Sequence, residues 1–155
     1  MFSDLELATN AAIKAGDIIL NYFKSDYEIK EKGYHNPVTT ADKAADNFLK
    51  RTLMEDRPEY GWLSEETVDS FERLNKSKVW IVDPLDGTKE FIEGVANFVV
   101  SIGLVQDGYP IVGVLYNPVS KELFSSAKNE GAYLNGLSIK CSFKENLSDM
   151  SLFIS

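Results

Sequence analysis

The segment Trp80-Ile81-Val82-Asp83-Pro84-Leu85-Asp86-Gly87-Thr88-Lys89-Glu90-Phe91 carries the residue types and spacing most suggestive of chemistry. An apolar strand runs straight into two aspartates held three apart by a proline. A strand buried on both sides delivers its C-terminal residues to one spot with little positional freedom, which suits oxygen ligands for a hard cation. Pro84 stiffens the bend, so that Asp83 and Asp86 point at a common centre. Gly87 lets the backbone approach a ligand closely, and Thr88 to Ile92 can form a helical turn whose free amides attract an oxyanion. Carboxylates and anion-binding amides in one short segment spell metal plus phosphate. Taken alone, Asp-Pro-Leu-Asp-Gly is equally the composition of a surface turn.

Two other segments weigh against the bare turn. Leu63-Ser64-Glu65-Glu66 follows a short apolar run, and Val38-Thr39-Thr40-Ala41-Asp42 places a carboxylate in the first turn of a helix. Each has a plainer reading: Glu65 and Glu66 suit a solvated turn, and Asp42 suits a cap completing its box. Three separate acidic strand or helix ends are harder to dismiss together. The remaining chemically capable residues point nowhere in particular. His35 is the sole histidine and sits beside Asn36-Pro37 as a loop residue. Cys141 is the sole cysteine, which excludes an intramolecular disulfide and a thiolate metal cluster and suits a reducing cytoplasm. Trp62 and Trp80 begin apolar runs and read as core.

The elements that must position these residues are legible in outline. Ser3-x-x-Glu6 is a capping box, and Leu5, Ala8, Ala12, Ala15, Ile18, Ile19 and Tyr22 follow at helical spacing to about Phe23. The stretch 25–36 reads as a loop or a short hairpin. Thr39-x-x-Asp42 opens a second helix whose face is Ala41, Ala45, Phe48, Leu49 and Leu53, until Pro58 stops it. Short β-branched or aromatic runs follow at 61–63, 79–82, 98–105, 111–116, 122–125 and 132–134, with Asp107-Gly108 and Asn135-Gly136 as hairpin turns. Helices followed by hairpin-linked strands predict an α+β fold, two N-terminal helices packed on an antiparallel sheet.

At 155 residues, 44% hydrophobic and 26% charged, the chain has ordinary globular composition and buries roughly 70% of its unfolded surface. The 24 acidic against 16 basic residues give a net charge of −8, which excludes binding to nucleic acid or an anionic membrane through a general positive field. A phosphate ligand would therefore need a cation between itself and the protein, and a divalent metal is the obvious one. No signal peptide and no membrane-spanning stretch is evident, and the expected location is cytoplasmic.

Assembled, these residues resemble a known family. Trp80 to Phe91 resembles the first signature of the inositol monophosphatase superfamily, and Asn36-Pro-Val-Thr-Thr-Ala-Asp42 and Ser64-Glu-Glu66 are similar to its upstream motifs in order and separation. The resemblance implies the N-terminal half of the sugar-phosphatase α/β/α/β/α layered fold. It implies two or three Mg²⁺ ions, replaceable by Mn²⁺, ligated by Glu65, Asp83, Asp86 and the backbone carbonyl of Leu85, with Asp83 bridging two of them. Thr88 with Glu65 would orient the attacking water, the Gly87 and Thr88 amides would hold the phosphate, Asp42 would support the water network, and Lys32 would lie near the phosphate. Lithium sensitivity comes with the same resemblance.

Lys89-Glu90-Phe91 resembles the 3'(2'),5'-bisphosphate nucleotidases, which makes adenosine 3',5'-bisphosphate or its sulfated form the expected substrate and AMP the expected product. Val100-Ser-Ile-Gly-Leu104 is closer to the general family pattern, so inositol or another small sugar phosphate stands as the alternative. A truncated domain that binds metal or phosphate without hydrolysis is a third reading, because the family's second aspartate signature is absent. Residues 1–146 are expected to form the metal-binding domain and 147–155 the start of a second. The apolar ending Met150-Ser151-Leu152-Phe153-Ile154-Ser155 reads as a strand that stops. A homo-oligomer is a further expectation, from the exposed surface of such a half.

Overall fold

The computed structural model describes residues 3–33, 36–143, 146–149 and 151. Helix α1 (Asp4–Leu20) starts on the expected box: the Ser3 hydroxyl accepts from the Glu6 amide while the Glu6 carboxylate accepts from the Ser3 amide. The helix ends three residues before the expected Phe23, in a turn closed by the Ser25 hydroxyl on the carbonyls of Asn21 and Tyr22. Strands β1 (Ile29–Gly33) and β2 (Asn36–Thr39) form a separate antiparallel pair, the short hairpin anticipated as one of two options. Helix α2 (Thr40–Asp56) begins on Thr39, whose hydroxyl accepts from the Ala41 and Asp42 amides.

The remaining strands make one seven-stranded sheet in chain order: β3 (Gly61–Ser64), β4 (Lys78–Asp86), β5 (Val99–Gln106), β6 (Tyr109–Asn117), β7 (Glu122–Ala127), β8 (Gly131–Leu134) and β9 (Leu137–Ile139). The meander from β4 to β9 is antiparallel, as expected. The first pair departs from expectation: β3 runs parallel to β4, so the sheet is mixed. The cause lies in the connection. Residues 65–77 are long enough to carry the chain back to the start of a neighbouring strand, which a tight hairpin cannot do.

The two long helices lie against one face of this sheet and against each other. Leu49 and Leu53 of α2, Ala8, Ala12 and Ile19 of α1, and Trp80, Val100, Ile102 and Leu104 of the sheet enclose the core, all at or near zero exposure. Burying each large side chain of this kind contributes about 1.5–3 kcal/mol. At Gly16 α1 packs tightly on β6: a Cβ there would stand 2.7 Å from the Tyr116 ring. Strand β4 was expected to be covered on both sides and is not, since Ile81 is 42% exposed. Its alternating burial marks a one-sided strand of an antiparallel sheet.

A side-chain network ties the helix ends to the sheet. Asp4 accepts from Arg57 Nε at 2.9 Å, from Lys78 Nζ at 3.0 Å and from the Tyr60 hydroxyl at 3.1 Å. Burial disfavours the Asp4 charge, but the hydrogen bonds from Lys78, Arg57 and Tyr60 outweigh it and hold the carboxyl below its ordinary range. The Lys78 ammonium is held above its own ordinary value, chiefly by its bond to the Tyr60 hydroxyl and by Asp4. Among the described residues no helix is long and apolar enough to cross a membrane. His35, the Lys32 side chain, and all but Ser151 of the expected terminal strand lie outside the described residues, and Cys141 is exposed.

Candidate functional site

Asp83 and Asp86 sit three apart on β4, and in a regular strand an odd separation sends side chains to opposite faces. The ladder to β5 resolves this. Asp83 pairs with Ser101 and Asp86 with Val99, so three steps on β4 match two on β5, and the extra residue of this bulge restores a common side. Pro84 and Leu85 fall in the bulge, where a proline removes no ladder hydrogen bond, and both are buried. The Leu85 amide donates to Asp83 Oδ1 at 3.1 Å, fixing the first aspartate over the bend.

Glu65 comes from the other strand of the parallel pair. Ser64 stands beside Val82, and the Glu65 amide donates to the Val82 carbonyl at 3.2 Å, so the ladder runs one residue past β3. Glu65 therefore emerges next to Asp83. Burial, a hydrogen bond with Glu65 and the charges of Glu65 and Asp86 push the Asp83 carboxyl up to about 7. Two carboxylates are thus crowded around a third.

Beyond Asp86 the chain turns at Gly87, which has φ +96°, and a Cβ there would meet the Asn97 carbonyl at 2.8 Å. Only glycine fits this position. The short helix α3 (Thr88–Ile92) follows, as anticipated, anchored by the fully buried Phe91 against Phe23, Tyr27 and Phe98. The Thr88 hydroxyl lies 3.1 Å from Asp42 Oδ1 and 3.0 Å from the Leu85 carbonyl. Asp42 is itself 1% exposed, and its other oxygen accepts from the Thr39 amide and hydroxyl at 2.8 and 2.5 Å. The cap of α2 and the turn after β4 are therefore one hydrogen-bonded unit.

Glu65, Asp83, Leu85, Asp86, Gly87 and Thr88 line one shallow depression, together with Pro37, Lys89 and Glu90. Asp42 underlies it through Thr88. Of the expected ligand, catalytic and phosphate-binding residues, Lys32 is not located, because its side chain lies outside the described residues. Glu65, Asp83 and Asp86 were expected to converge on one cation-sized volume, and they line the same depression. Among the described residues no three of His, Cys, Asp and Glu form a ready-made cation cage. A donor set made only of oxygens, crowded and part-buried, still fits a hard cation. Mg²⁺ in particular uses one or two carboxylates plus waters and substrate phosphate in preference to an all-protein cage.

Sequence reasoning missed Asp46, Ser64 and Thr67. Asp46 is 5% exposed on α2, one turn after Asp42, and the hydroxyls of Ser64 and Thr67 both donate to it, the latter at 2.6 Å. The signal was available: two acids four apart interrupt an otherwise apolar helix face formed by Ala41, Ala45 and Leu49.

The inositol monophosphatase family model matches residues 3–155 of the chain. Inositol monophosphatase 3 of Solanum lycopersicum is 42% identical over 146 residues, which cover 92% of this chain and 54% of that protein. The extragenic suppressor protein SuhB of Bartonella henselae superposes with a TM-score of 0.84 at 32% identity, over 90% of this chain and 54% of that one. SaIMPase-II has been solved with inositol monophosphate bound, at TM-score 0.75 and 30% identity over 92% of this chain and 50% of that one. It has also been solved with 2'AMP bound, at TM-score 0.76 and 28% identity over 92% and 52%. The chain spans about half the length of the curated relatives it matches.

Proposed function

The chain belongs to the inositol monophosphatase family, and from that premise we propose that it forms the metal- and phosphate-binding portion of a Mg²⁺-dependent phosphatase acting on an inositol or other sugar monophosphate. The observation that carries this is the meeting of Glu65, Asp83 and Asp86 with the Gly87–Thr88 turn in one depression. The matched relatives support the sugar phosphate. They are inositol monophosphatases and SuhB proteins, whereas Lys89-Glu90-Phe91 alone suggested the bisphosphate nucleotidases, so that narrower expectation loses its place as the main reading.

Glu65, Asp83, Asp86 and the Leu85 carbonyl are the oxygens that would hold divalent cations. When bound, these neutralise charge on the phosphoryl oxygens and lower the pKa of water. The chain's own residues do the positioning. Asp42, saturated by Thr39 on one oxygen, accepts the Thr88 proton on the other, which leaves a Thr88 lone pair to orient the attacking water with Glu65. The Gly87 and Thr88 amides stand at the start of α3, where they would receive phosphate oxygens.

Inorganic phosphate release at millimolar Mg²⁺, compared among inositol monophosphate, 2'AMP and adenosine 3',5'-bisphosphate, tests the reading. Preferential release from inositol monophosphate upholds it. The 2'AMP complex of SaIMPase-II favours a nucleotide monophosphate as second substrate, and preference for adenosine 3',5'-bisphosphate would overturn the sugar-phosphate assignment. Saturable Mn²⁺ binding without release from any of the three would reduce the chain to a binding module.

A further inference from the structure

Building on that reading of the depression, we infer that Asp46 is a positioning residue: through Ser64 and Thr67 it fixes the turn that presents Glu65 to the cation. A carboxylate as buried as Asp46 costs several kcal/mol unless its oxygens are satisfied. Both are, and the partners lie at the end of β3 and in the bend directly after it. Ser64 Oγ donates to Oδ1, and Thr67 Oγ1 donates to Oδ2 at 2.6 Å. Ser64 Oγ in turn accepts from the Glu66 amide at 3.2 Å. The carboxylate therefore bridges the two ends of the tetrapeptide that contains Glu65, and bonds to ionised acceptors are among the stronger ones.

The rest of the turn explains why such a bridge matters. Glu65 is exposed, and its backbone is tied to the sheet by the bond to the Val82 carbonyl. Beyond Thr67 the chain runs into Val68, which is 93% exposed. Ser64 and Thr67 reach from either side of Glu65 to one carboxylate, so Asp46 spans the segment that holds Glu65 beside Asp83. If burial volume were all that mattered at this site, an aliphatic side chain would pack there with no desolvation cost.

The placement on α2 extends the argument. Asp42 and Asp46 are one turn apart on the same face. Asp42 holds Thr88 at the start of α3, and Asp46 holds Ser64 at the end of β3 and Thr67 in the turn that follows. One rigid helix thus sets the separation of the two turns from which the candidate ligands project. Supporting groups of this kind are worth about 10–100-fold in metal affinity.

Mn²⁺ affinity, measured by water-proton relaxation on the purified chain, tests the inference without requiring turnover. Asp46→Ala should weaken Mn²⁺ binding about 10-fold or more. Asp46→Asn, which keeps the shape and both hydrogen bonds once the hydroxyls reorient, should stay near wild type. Should Asp46→Ala fail to fold, Thr67→Val against Thr67→Ser decides: loss of affinity in the first and retention in the second upholds the role. A folded Asp46→Ala with a lowered melting temperature and wild-type Mn²⁺ affinity overturns it, as does equal affinity in Thr67→Val and Thr67→Ser. A wild-type chain that binds no Mn²⁺ overturns the site itself, and the role of Asp46 with it.

Discussion

Replacing Asp83 by Asn should make the metal-free protein more stable while removing its response to metal. The folded pKa of Asp83 is raised from 3.8 to about 7 by burial and by Glu65 and Asp86. Between these values the native state binds more protons than the unfolded chain, so wild-type stability falls as pH rises through that window. At 1.36 kcal/mol per unit the full shift corresponds to about 4 kcal/mol. Asp83 retains contact with solvent, and screening reduces the expected penalty to about 1–2 kcal/mol. Asn removes the charge, and its amide oxygen can keep the bond from the Leu85 amide. For a chain of this size the gain is about 2–8 °C in Tm. Thermal melts in EDTA at about pH 5 and about pH 8 read it out: wild type should lose stability between the two, and Asp83→Asn should lose less. Adding Mg²⁺ at a hundredfold excess over Kd should raise the wild type by about 2.7 kcal/mol and leave the variant unmoved. An Asp83→Asn protein that melts below wild type in EDTA at the higher pH would refute the reasoning, because crowding of carboxylates would then not be the dominant effect.

Three further outcomes follow from other contacts. Gly87→Ala forces a Cβ against the Asn97 carbonyl at positive φ and should cost about 1–3 kcal/mol, seen as a lower urea midpoint. Asp4→Asn breaks the ion pairs with Arg57 and Lys78 and should cost about 1–3 kcal/mol at neutral pH. Because the folded Asp4 pKa is depressed, the difference from wild type should persist above the ordinary carboxylate pKa and vanish as pH falls through the folded value. Thr88→Val leaves Asp42 Oδ1 without its partner and should cost about 1–3 kcal/mol by denaturant titration, with Thr88→Ser restoring most of it.

Much of this fold was readable where the information is local. Capping boxes at Ser3 and Thr39, the stop at Pro58 and the turns at Asp107-Gly108 and Asn135-Gly136 depend on neighbours within a few residues, and the structure places elements accordingly. The parallel β3–β4 pair was not readable, because its register joins segments separated by residues 65–77 and is decided by tertiary packing. The bulge at Pro84 and Leu85 was legible only as a stiff bend, since its effect on the direction of Asp86 depends on pairing with Val99. Asp46 was legible only as an acid on the apolar face of its helix, four residues after Asp42, and its role depends on Ser64 and Thr67, which are distant in sequence. The local separation of Asp83, Gly87 and Thr88 carried the candidate site, while the substrate's organic part left no local mark beyond the ambiguous Lys89-Glu90-Phe91.

The parallel pairing of β3 with β4 has a consequence for how this molecule tolerates change. Glu65 and Asp83 leave the same end of neighbouring strands whose register is locked from Gly61 opposite Val79 to Ser64 opposite Val82. Their spacing is therefore indifferent to the length of the excursion between them. The tip of that excursion, residues 68–71, exposes Val68 and Phe71 to solvent. Extra residues beside Val68, ahead of the Asp69–Arg73 ion pair, should leave that spacing unchanged, whereas slipping β3 by a single residue would turn Glu65 to the wrong side.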